Sequence, residues 1–167
     1  MPASAQRYGL AMPVSPRILI ALSLMFLAAR VGADDAKPPY WASIRSEAVN
    51  MRVGPGEDYR IQWVYHRRLL PLKVLRMREG WRLVEDPEGA RGWVLSRMLS
   101  RERGGIIIGQ GLADMREKGE AASRLLWRLE PGVTGKLGDC AEGWCKFVVE
   151  GRSGFAPQNR LWGSGAP

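Results

Sequence analysis

The chain repeats itself. Ile44, Ala48, Asn50-Met51-Arg52, Ile61, Trp63 and Tyr65 recur as Ile108, Leu112, Asp114-Met115-Arg116, Leu125, Trp127 and Leu129, each 64 positions later. One deletion then shifts the register. Leu70, Lys73, Val74 and Glu79-Gly80-Trp81 recur as Val133, Lys136, Leu137 and Glu142-Gly143-Trp144 at an offset of 63, and Gly92-Trp93 and Leu99 as Gly154-Phe155 and Leu161 at 62. So many matches kept in order define two copies of one small unit, over residues 40–100 and 106–163, joined by a polar, glycine-bearing connection near Ser100 to Gly105. Within each copy the apolar residues alternate: Ile61, Trp63 and Tyr65 in the first, Leu125, Trp127 and Leu129 in the second. That is the period of a half-buried strand, and helical spacing is absent. Turn residues separate the runs: Gly54-Pro55-Gly56, the Glu-Gly before Trp81 and Trp144, Asp86-Pro87-Glu88-Gly89 and Glu150-Gly151. The expected fold is all-β: five short antiparallel strands per copy, closed into a small barrel that leaves no long edge. Trp63 and Trp127, each flanked by apolar neighbours on one face, are expected in the cores.

Asn50-Met51-Arg52-Val53-Gly54-Pro55-Gly56, Tyr59, Trp63-Val64-Tyr65-His66-Arg67-Arg68, Leu70-Pro71-Leu72-Lys73-Val74, Gly80-Trp81 and Gly92-Trp93-Val94 together resemble the bacterial SH3 (SH3b) family. The second copy resembles it more loosely. Asp114-Met115-Arg116 lacks the Gly-Pro-Gly, Phe155 stands for the last tryptophan, and Ala156-Pro157 interrupts the closing strand. As a whole the chain is similar to exported tandem SH3-like proteins of proteobacteria. This resemblance implies two small SH3-like barrels, an extracytoplasmic address and a binding role.

Ile18 to Ala29 is an unbroken apolar run preceded by Arg7 and Arg17 and followed by Val31-Gly32-Ala33. The run is short for a membrane span, and the small residues suit a signal peptidase, so residues 1–33 read as a signal peptide cleaved after Ala33. The expected product is exported and released, with the periplasm as its address and the medium as the alternative. Losing Arg7, Arg17 and Arg30 lowers the net charge from +8 to +5. Basic and acidic residues are interleaved, so no stripe suited to tracking nucleic-acid phosphates forms. Binding to an anionic polymer is the weakest of the readings.

Export lets the two cysteines pair. Cys140 and Cys145 bracket Ala-Glu-Gly-Trp and are expected to face each other across a hairpin with a four-residue loop, forming a disulfide. A redox or metal role has little support, because the spacing is not Cys-x-x-Cys and the second copy has no histidine. His66, the only histidine, reads as solvated decoration at a strand end. The carboxylate pairs lie in turns. We expect no enzyme, no catalytic residue, no metal and no cofactor.

Binding is the stronger expectation. By the resemblance, the loop from Gly54 to Arg60 corresponds to the loop bordering the ligand groove of SH3 folds. Its Glu57, Asp58 and Tyr59, with Trp81 and Trp93, are the candidate ligand-binding residues, although ordinary packing explains both tryptophans equally well. Aromatic walls would pack on an extended peptide while the carboxylates meet an amine, so the expected partner is a cell-wall peptide or a segment of another envelope protein. The alternative is an envelope scaffold with no small ligand. In either case the protein is expected to be a monomer without a membrane segment. Gly104-Gly105-Ile106-Ile107-Ile108 is expected as a buried strand between the copies, making the linker rigid if that strand pairs across them.

Overall fold

The computed structural model describes residues 37–167; the apolar run and the inferred cleavage point lie outside them. The first copy forms seven strands: β1 (Tyr40–Ile44), β2 (Val49–Arg52), β3 (Ile61–Tyr65), β4 (Pro71–Arg78), β5 (Trp81–Glu85), β6 (Arg91–Leu95) and β7 (Leu99–Ser100). The second forms β8 (Gly104–Ile107), β9 (Ala113–Arg116), β10 (Leu125–Leu129), β11 (Thr134–Ala141), β12 (Trp144–Val149), β13 (Arg152–Pro157) and β14 (Leu161–Trp162). A single 3-10 turn precedes the last strand of each copy. The sheets share one antiparallel order, β3-β2-β6-β5-β4-β1-β7 and β10-β9-β13-β12-β11-β8-β14. The fold is all-β with two tandem barrels, as read from the sequence. Each copy has two strands more than the five expected: one before the first motif, and a two-residue strand that closes against it.

The recurring residues have the same work in each copy. Met51 and Met115 are fully buried, and Gly92 and Gly154 lie directly against them. A Cβ at either glycine would fall within 3 Å of the methionine side chain and of the next backbone carbonyl. The first core gathers Ile44, Val49, Met51, Tyr65, Leu72, Val74, Val84 and Val94. The second gathers Ile107, Met115, Leu129, Leu137, Cys145, Phe147 and Leu161.

Both Glu-Gly hairpins are tighter than their sequence suggested. Glu79 and Gly80, like Glu142 and Gly143, have positive φ at both positions, the signature of a two-residue turn whose twist matches the flanking strands. Ala141 therefore pairs with Trp144 inside the ladder, and the loop between the cysteines has two residues instead of four. Cys140 and Cys145 face each other one pair further out and are bonded. Met77 and Arg82 occupy the same opposed positions in the first copy. Arg82 is buried there and donates to the Tyr40 hydroxyl at 3.0 Å, so that hairpin is tied inward by a side chain instead of sulfur.

Burial of Trp63 is overturned. Trp63 faces Met51 across the β2–β3 ladder, yet it is 57% exposed, because β3 is the outermost strand and none of the described residues covers its rim. Trp127 is only partly buried, packed against the second core, with Val149 and the Arg152 guanidinium beside it. In the first copy the place of Val149 belongs to Asp86, whose carboxylate accepts from the Tyr65 hydroxyl (2.8 Å) and from the amides of Glu88 and Ala90. A polar turn thus replaces the apolar cover.

β8 is fully buried, whereas Ile108, expected in the same strand, follows it and is partly buried; the strand pairs within the second copy, with β11 and β14. Its side chains alternate. Ile107 enters the second core, while Ile106 joins the first and Ile108 packs against it. Around them the Trp41 and Trp162 rings meet edge to face at 4.6 Å, and Trp41 donates to the Gly165 carbonyl. The linker's glycine serves packing: a Cβ at Gly104 would sit 2.1 Å from the Leu69 carbonyl oxygen. Ser43 fixes the linker by donating to the Glu102 carbonyl at 2.7 Å. The ends of the linker pair with strands of their own copies, and what crosses between the copies there is side-chain packing and the Ser43 hydrogen bond.

Candidate functional site

On β2, β5 and β6 the residues that alternate with the core present a second face. Asn50 and Arg52 stand on it from β2, Trp81 and Leu83 from β5, Trp93 and Leu95 from β6. A groove of about 230 Å³ opens there, lined by Asn50, Arg52, Glu57, Trp81, Leu95, Arg97 and Met98 among others. Trp81 is only 8% exposed, so the indole contributes a floor instead of a projecting edge.

The loop from Gly54 to Arg60 walls one side of the groove, and its shape follows from a single aromatic ring. Tyr59 folds over Gly54 and Gly56; a Cβ on Gly54 would lie 2.3 Å from the ring. Arg52 then donates through Nη1 to the Tyr59 carbonyl at 2.6 Å, anchoring the loop to β2. Of the five candidate residues, Glu57 and Trp81 meet in the groove. Tyr59, half exposed, shapes the loop beside it, and Trp93 stands opposite Arg52 on the neighbouring strand. Asp58 is exposed in the loop and does not line the groove.

Sequence reading did not place Asn50, Arg52 or Arg97 in the groove. The first two alternate with the core residues Val49 and Met51, which was the available signal for an outward polar pair. Arg97 lies in the 3-10 turn after β6, and only folding brings it to β2. The groove thus carries two cations against one carboxylate, where the sequence had suggested an acidic wall. Arg52 and Arg97 form no ion pair among the described residues.

The second copy repeats the anchor but not the groove's chemistry. Arg116 donates to the Ser123 carbonyl at 2.6 Å, as Arg52 does to Tyr59, but it also pairs with Asp114 at 2.7 Å. Gly119 of the corresponding loop lies against Trp144 and Phe155, the counterparts of Trp81 and Trp93. Arg116 is thus ion-paired where Arg52, among the described residues, is not, and Trp144 and Phe155 stay partly exposed beside Gly119.

A second depression, about 570 Å³, lies where the copies meet, with His66, Arg67, Arg68 and Leu69 on one wall and Glu130, Thr134, Val149 and Glu150 among those on the other. Arg67 reaches across it to the Gly132 carbonyl. Among the described residues no group of three or more His, Cys, Asp or Glu is arranged to hold a metal, and no helix is long and apolar enough to cross a membrane.

The model of the bacterial SH3 domain matches residues 45–101 and again residues 110–163, about two thirds of the chain. The chain belongs to the bacterial SH3 domain family. Each match covers six of the seven strands of one sheet and leaves out the first, β1 or β8, so this is a tandem bacterial SH3 protein. Among solved structures, NlpC2 from Trichomonas vaginalis aligns over 76% of this chain and 49% of its own, at 10% identity and a TM-score of 0.34. NlpC1 from the same organism aligns over 77% and 47%, also at 10% and 0.34. The chain spans about half the length of these two proteins, and likeness at that level carries no weight for function. A comparison with curated proteins gave no match. The two bacterial SH3 units are therefore distinguished by their own residues: the first has a groove in which Arg52 and Arg97 form no ion pair among the described residues, and in the second the counterpart of Arg52, Arg116, is ion-paired with Asp114.

Proposed function

We propose that this bacterial SH3 protein is a non-catalytic module of the cell envelope that binds an extended peptide in the groove of its first barrel. The observation that carries the reading is the groove's composition. Trp81, Leu95 and Met98 supply an apolar floor, Arg52 and Arg97 two cations, and Glu57 one anion, on a loop already pinned by Arg52. A preformed site of this kind binds without first ordering its own loop. Opposite charges at its rim suit a ligand carrying both carboxylates and an amine on a short chain, which describes cell-wall peptide. Membership of a family whose domains are usually binding modules supports the same class. The bonded cysteines leave no free thiol, and the disulfide is consistent with an exported protein.

Retention on purified peptidoglycan tests this directly. The parent protein is expected to sediment with the polymer. Glu57→Gln and Arg97→Gln, both at exposed positions, should each weaken retention about fivefold, the loss of roughly 1 kcal/mol of charge-assisted contact. A parent that stays in solution would remove the cell-wall ligand. Unchanged retention of both variants would remove the groove. The scaffold alternative draws on the packed Ile106 and Trp162 interface, and predicts no retention at all.

A further inference from the structure

The outer edge of the first barrel is dressed differently from that of the second. β3 ends its sheet and, among the described residues, pairs only with β2, which leaves one row of backbone donors and acceptors without a partner strand there. Ile61, Trp63 and Val64 on it are all more than 40% exposed, as is Val53 at the neck of the preceding loop. Side chains on both faces of the strand are therefore apolar and open. Isolated exposed apolar residues are ordinary; a contiguous group on an unpaired strand is not.

The second copy shows that the fold does not need this. Val53 corresponds to Glu117, which ion-pairs with Arg124 at 2.8 Å, and Val64 corresponds to Arg128, which lies 3.6 Å from Asp114. Trp127, the counterpart of Trp63, has the Arg152 guanidinium over its ring at 5.9 Å. Charges at these positions protect an edge strand against pairing with another chain. The first copy has apolar residues instead.

We propose that β3 is a docking strand for an extended, apolar segment of a partner protein, flanked by acidic residues and added to the sheet by backbone pairing. Backbone hydrogen bonds supply the affinity in this mode, and the side chains on alternate faces supply the selectivity. Charge selects the partner's sign. Arg60 precedes the strand and His66-Arg67-Arg68 follow it, while Arg60 and Arg68 make no ion pair among the described residues. Of the carboxylates nearby, Glu57 and Asp58 sit at one end, with Glu57 turned into the groove, and Glu130 and Glu150 line the depression at the other, where Arg67 is held by the Gly132 carbonyl and Arg68 is left exposed. A second copy of this chain would bring a net positive charge against the same sign, +8 in full and +5 without Arg7, Arg17 and Arg30.

The test uses immobilised eight-residue peptides that alternate valine and threonine, ending in two aspartates, in two lysines, or in aspartates with a central proline. Binding of the purified protein is read by interferometry. The aspartate peptide should bind at least tenfold more tightly than the other two, since lysine meets like charge and proline breaks the ladder. Val64→Arg and, independently, Val53→Glu, each copying the second barrel, should weaken it at least tenfold without changing the circular dichroism spectrum. Val64→Arg should leave retention on peptidoglycan as it is in the parent, separating this surface from the groove. Failure of the parent to bind the aspartate peptide, equal binding of the proline peptide, or binding that both variants leave intact would overturn the proposal. So would sedimentation showing a dimer that Val64→Arg dissolves, since the occupant would then be a second copy.

Discussion

At Tyr65 the choice between a polar and an apolar core is made by one hydroxyl. The Tyr65 hydroxyl donates to buried Asp86 at 2.8 Å, and the same carboxylate takes the amides of Glu88 and Ala90. The second copy puts Leu129 and Val149 at these two places, an apolar pair that needs no partner. Burial, then the bond to Asp86 and the charges of Asp86 and Glu88, raise the Tyr65 pKa far above the usual tyrosine range. The folded state therefore holds this proton more tightly than the unfolded chain. The stability it contributes is complete below about pH 10, the unfolded value, and is lost as pH rises above it. Tyr65→Phe should cost about 1–2 kcal/mol at neutral pH, since Asp86 keeps its two amides. Urea titrations of parent and variant should converge above pH 10, by up to about 1.4 kcal/mol per pH unit. A gap that stays constant with pH would mean that the hydroxyl is not the titrating group.

Among the elements, the hairpins after β4 and β11 solve one problem in two ways. Each turns on Glu-Gly with both residues at positive φ, and each then needs its two strands kept together beyond the turn. The Cys140–Cys145 bond does this in the second barrel; in the first, Arg82 of β5 reaches past β4 to Tyr40 of β1. Replacing both cysteines by serine should cost about 2 kcal/mol on the chain-entropy model for so short a loop. The loss should appear as a lower thermal midpoint and as faster amide exchange in β11 and β12. Exchange that speeds up equally in β4 and β5 would show that the bond stabilises both barrels and not one hairpin.

For the whole molecule, Ile106 decides whether the barrels act as one body. It belongs to β8 of the second sheet but lies 5% exposed in the first core, with Ile108 and Trp162 beside it. Ile106→Ala removes buried methyl groups from that seam and should cost about 2–5 kcal/mol. Calorimetry of the parent should show one transition, and that of the variant two; a single transition retained at a lower midpoint would show that the barrels stay coupled through Trp41 and Trp162. The sequence alone was enough for the two-copy plan, the all-β class, the family and the cysteine pair. All of these rest on local signals: a fixed offset, a period of two, Glu-Gly turns and short-range spacing. Folding decided the rest. Alternation tells which residues share a face but not whether anything covers that face, so Trp63 was read as core and is exposed. Spacing along one strand could not bring Arg97 beside Arg52, and three consecutive isoleucines could not say which core each would enter. Those outcomes depend on which strand ends a sheet and which surfaces meet, and both are set by contacts between residues distant in the chain.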